Sequence, residues 1–68
     1  MDQNIRKPSH RLTFEEAVEV QIRILRGELH SRIAPDYDVN AGRISEVKTG
    51  KIHHGSYEEA LRRLDKAA

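Results

Sequence analysis

From Thr13 onward the apolar residues recur three and four places apart, and each recurrence is bracketed by residues that start or stop a helix. That punctuated period constrains the chain more than any other feature, because an apolar stripe at this spacing lies along one face of a helix. Thr13 with Glu16 fits a capping box, in which hydroxyl and carboxylate satisfy orphan amides at a helix start. Phe14, Ala17, Val18, Ile22 and Leu25 follow on one stripe, Val20 and Ile24 widen it, and Gly27 supplies the stop. A second segment, 28–37, places Leu29, Ile33, Ala34 and Tyr37 on one face. Pro35 lacks an amide and crowds the carbonyl four residues back, so it is expected to kink or shorten that helix, and Asp38 marks a turn.

Asn40 is a good N-cap for a third helix over 41–49, with Ile44 and Val47 inward and Gly50 at its end. Residues 51–55 form a loop. Ser56 with Glu59 repeats the capping-box pattern and opens a C-terminal helix, 56–67, carrying Tyr57, Ala60, Leu61 and Leu64. The expectation is an all-α chain of four short helices in one domain, residues 13–68, behind a flexible basic arm, residues 1–12.

Sixty-eight residues leave room for little else. A domain this small buries only about 60% of its unfolded surface and rarely encloses a substrate-sized pocket, so a binding module without cofactor or small-molecule substrate is expected rather than an enzyme. With no cysteine, a disulfide framework and thiolate metal sites are excluded. No apolar run approaches the roughly 18 residues of a membrane span and the first residues are polar, which predicts a cytoplasmic protein.

Twelve Lys and Arg stand against eleven Asp and Glu, but the charges are not mixed evenly. Arg6, Lys7 and Arg11 make the arm basic, while over residues 14–29 Glu15, Glu16, Glu19 and Glu28 outnumber Arg23 and Arg26. Residues 30–54 are basic again and hold His30, His53 and His54. Glu19 and Arg23 are spaced for an i,i+4 ion pair, so these carboxylates read as a solvated face. The adjacent His53 and His54 lack the spacing of two ligands on one helix face, and no metal is expected. No nucleophile–base pairing is visible, and the string TGKIHHG is too short for a phosphate loop.

The stretch HSRIAPDYDVNAGRISEVKT, residues 30–49, resembles the helix-turn-helix of phage repressors and of resolvase and invertase DNA-binding domains. Ile33 and Tyr37 share a face of one helix, Ile44 and Val47 a face of the next, Val39 plugs the turn, and small Ala34 sits where the two would approach. VNAGRISEVKTGK looks like the recognition segment of small bacterial and phage proteins of that kind. Two positions depart from the pattern: Asp38 stands where glycine is usual, and Pro35 where an ordinary helix former is usual.

The resemblance implies a three-helix core with a fourth, C-terminal helix, binding double-stranded DNA as a repressor-like transcriptional regulator. Asn40, Ala41, Gly42, Arg43, Ser45, Glu46 and Thr49 would then face base edges. Arg32, Lys48, Lys51, His53 and His54 would contact phosphates, with Arg6, Lys7 and Arg11 in an adjacent minor groove. The C-terminal helix either packs back on helices 1 and 3 or pairs two copies through Tyr57, Leu61 and Leu64. A homodimer would set two recognition helices about 34 Å apart.

Two other readings remain open. The acidic first helix and apolar last helix would suit a protein-binding adaptor or antagonist, and an excisionase-like recombination factor would use the same DNA-binding face. The pI near 8.2 lies below the value of about 9 common in dedicated DNA-binding domains.

Overall fold

The computed structural model describes residues 11–67, and among these every regular element is a helix: α1 Phe14–Leu25, α2 His30–Asp36, α3 Ala41–Thr49 and α4 Ser56–Ala67. Arg6 and Lys7 of the arm lie outside the described residues.

The helix boundaries follow from local hydrogen bonding. At the start of α1 both halves of the capping box form: the Glu16 amide donates to Thr13 Oγ1 at 3.1 Å, and the Thr13 amide to Glu16 Oε1 at 2.9 Å. Helices α1, α2 and α3 then end alike, with one residue in the left-handed region and the next amide folding back to a carbonyl of the last turn. Gly27 (φ 91°) lets the Glu28 amide reach the Arg23 carbonyl at 3.1 Å. Gly50 (φ 81°) lets the Lys51 amide reach Glu46 at 2.9 Å. Asp38 fills the same role after α2 at φ 57°, and the Val39 amide reaches Ala34 at 3.2 Å. Aspartate therefore does a glycine's work in the α2–α3 turn, as its tolerance of that region allows.

Helix α2 is shorter than expected, seven residues with Pro35 inside it. Leu29, expected on its inward face, is instead its N-cap and is 64% exposed. The fourth helix begins at Ser56 itself, whose buried hydroxyl accepts from Gln21 across the domain, where the spacing to Glu59 suggested a cap.

Ala17 and Val20 of α1, Ile33 and Ala34 of α2, Val39 of the turn, and Ile44 and Val47 of α3 form one buried cluster. Leu12 joins it, so the core extends into the segment assigned to the arm, and Ile24, Tyr37 and Ile52 pack around it. Helix α1 contacts the other three helices, α2 packs on α3, and α4 lies mainly against α1. Phe14 and Leu25, expected on the inward stripe of α1, sit at its ends and stay substantially exposed. Gln21 is buried in the middle of that helix instead.

Candidate functional site

Helix α3 is held to the domain by Ile44 and Val47, and the phase these two set turns Ala41, Gly42, Arg43, Ser45, Lys48 and Thr49 to solvent. Its first turn is pinned by Asn40, whose Oδ1 accepts from the Arg43 amide at 3.1 Å. Gly42 leaves room for that cap: a Cβ there would lie 3.0 Å from Asn40 Oδ1. One turn on, Arg43 Nη1 donates to Glu46 Oε1 at 2.8 Å. Thr49 Oγ1 donates to the Glu46 carbonyl at 3.3 Å.

The surroundings sort the remaining candidates. Arg11, Arg32, Lys48, Lys51 and His54 are exposed. His53 is different: it is half-buried at φ 52°, its Nε2 lies 2.6 Å from the Leu12 carbonyl, and its ring meets Phe14 edge-on at 6.1 Å. Because a carbonyl only accepts, Nε2 carries the proton that bridges them. This bond ties the loop after α3 to the chain before α1. A cleft of about 200 Å³ opens at the C-terminal end of α3, edged by Lys48, His54 and Tyr57 with Gln21 and Ser56 beneath.

On α4, Ala60 is fully buried, Leu64 is half-buried, and Tyr57 and Leu61 remain exposed. Arg63 anchors this helix by donating through Nη2 to Glu15 Oε1 at 3.0 Å and through Nε to Glu59 Oε2 at 2.9 Å. Hydrogen bonding from Arg63 holds the Glu15 carboxyl below its usual range, and Glu15 in turn raises the arginine. The expected Glu19–Arg23 pairing does not organise the other side. Arg23 reaches Glu28 at 2.7 Å and Asp36 at 2.8 Å and lies over the Tyr37 ring at 5.9 Å. Tyr37 donates to Glu19 at 2.9 Å, and burial followed by that bond pushes its phenol up.

Among the described residues no group of three His, Cys, Asp or Glu is placed to hold a metal ion, and no helix is long and apolar enough to cross a membrane. Comparison of the chain with protein-family models, curated proteins and solved structures returns no match.

Proposed function

We propose that the chain binds duplex DNA as a helix-turn-helix module spanning residues 30–49, with α3 as the recognition helix, and regulates transcription by occupying its site. One observation carries the reading. Helix α3 contributes Ile44 and Val47 to the core and exposes a face that combines small residues, Ala41, Gly42 and Ser45, with one arginine. Small side chains let a helix approach base edges closely, and arginine supplies the commonest specific contact, to guanine. Asp38 and Val39 build the turn: one takes the left-handed conformation, the other fills the gap between α2 and α3.

Arg32, Lys48, Lys51 and His54 are exposed on α2, α3 and the following loop, where they suit phosphate contact. Their modest number, with a net charge of +1, fits weak non-specific binding and reliance on oriented contacts. A single α3 offers few base contacts, so the bound species is a dimer, with Tyr57 and Leu61 on α4 as the contact.

Titration of a labelled random-sequence duplex across salt concentrations tests the reading. Binding must fall with salt along a negative log–log slope set by the phosphates neutralised. No binding at micromolar protein, or a flat slope, removes it.

A further inference from the structure

We infer that Glu46 is the specificity-setting partner of Arg43: its carboxylate holds the guanidinium so that it reads a base edge instead of drifting to a phosphate. This rests on the DNA-binding reading above and assigns Glu46 a positioning role within it.

Both ends of the pair are fixed by the backbone. The Arg43 amide is bonded to the Asn40 cap at 3.1 Å, which sets where its side chain leaves the helix. Glu46 sits one turn later, where its carbonyl accepts the Lys51 amide at 2.9 Å in closing α3. The atom that Glu46 holds is Nη1, at 2.8 Å. In a guanidinium, Nη1 lies on the Cδ side, while Nε and Nη2 point their N–H bonds along the opposite edge. With Nη1 engaged, that opposite edge remains as a two-donor fork, which matches the O6 and N7 acceptors of guanine. Ala41, Gly42 and Ser45 flank it with short side chains, so the fork is the longest reach from the first two turns of α3.

Electrostatics favour the same outcome. A lone arginine is drawn to phosphates whatever the sequence, whereas the Arg43–Glu46 pair carries no net charge, and its carboxylate repels phosphates within a Debye length of about 8–10 Å. In water a side-chain pair on one helix face is worth little. Docked against a groove floor from which water has left, the same hydrogen bond strengthens. The pair therefore trades non-specific affinity for discrimination.

The experiment is selection from random duplexes, with salt titration, of the full chain and its Glu46→Gln, Glu46→Ala and Arg43→Ala variants, each confirmed helical by circular dichroism. The wild type should select a guanine at one position per half-site, and Arg43→Ala should lose it. Glu46→Gln should still bind duplex, lose at least about fivefold of that guanine preference, and steepen the log–log slope by about 0.9 as Arg43 takes a phosphate. Glu46→Ala should go further in the same direction. Unchanged guanine preference and slope in both Glu46 variants overturn the inference alone. So does loss of a cytosine preference elsewhere in the site with the guanine kept, which would make Glu46 a base reader itself. A wild type that binds no duplex removes the DNA reading and this inference with it.

Discussion

The Gln21 side chain of α1 donates from Nε2 to the Val47 carbonyl of α3 at 2.7 Å, across 26 residues of sequence, and the same nitrogen reaches Ser56 Oγ at 3.2 Å. One buried amide thus joins the first helix to the end of α3 and the start of α4, and it fixes where the exposed face of α3 points.

Replacing Gln21 by leucine keeps the volume and removes the donor. The Val47 carbonyl keeps the Gly50 amide at 3.1 Å, but Ser56 Oγ loses a buried partner. The expected cost is about 1–3 kcal/mol, read as a fall in Tm of roughly 4–8 °C per kcal/mol for a domain of this size. Adding Ser56→Ala to Gln21→Leu should recover most of the loss, since removing both partners together is nearly neutral. A double variant no more stable than the single one would place the cost in the lost bond to Val47 and not in Ser56.

Tyr37 adds an alkaline sensitivity to the fold. Burial, and then the bond to Glu19, hold its phenol above the ordinary value. A raised folded-state pKa means that the neutral form stabilises the fold below the unfolded value of about 10, and that this contribution is lost as pH rises through the folded value. Thermal unfolding at pH 8 and pH 11 should therefore show a larger drop for the wild type than for Tyr37→Phe. The Phe variant should be the less stable of the two at pH 8, lacking the bond at 2.9 Å to Glu19. Equal drops would place the alkaline sensitivity elsewhere.

On the DNA-binding reading Asn40 has two demands on one side chain, the helix cap and a base contact, and the cap occupies its Oδ1. Asn40→Ala should destabilise the domain by about 1 kcal/mol, while Asn40→Ser should restore nearly all of it because serine caps equally well. If the cap is the whole role, Asn40→Ser binds a selected duplex within about twofold of the wild type. Loss of preference for an adenine in that variant would show that the remaining Nδ2 reads a base.

These cases also mark what the sequence makes legible. Thr13 with Glu16, Gly27, Asn40 and Gly50 are local signals, complete within a few residues, so α1 and α3 appear where the pattern puts them. Helix α2 is harder because its N-cap, Leu29, makes no side-chain bond to announce it and Pro35 sits inside. Gln21 and His53 were out of reach: their partners are 26 and 41 residues away, and a polar residue within an apolar stripe reads as surface until the neighbour that satisfies it is known. For the candidate site, the spacing of Ile44 and Val47 is enough to place Arg43 and Ser45 outward. The pairing of Arg43 with Glu46, although it joins residues three apart, is invisible to a reading that assigns each outward residue its own base contact.

Helix α4 resolves into two faces with opposite sensitivities. Ala60 is fully buried while Leu61, one residue on, is 42% exposed beside Tyr57 at 44%. Ala60→Asp would bury an unpaired carboxylate and should unfold the domain, because isolated charges are tolerated only when paired. Leu61→Asp should leave the helical circular dichroism and Tm close to wild type, since its side chain already meets water. On the dimer reading, that same variant should shift sedimentation at tens of micromolar from two chains to one. It should also weaken binding to a two-half-site duplex far more than to a single half-site, because the gain from linking two weak contacts is lost. A wild type that sediments as one chain throughout would instead make α4 purely a brace for α1, and single half-sites would then bind as well as paired ones.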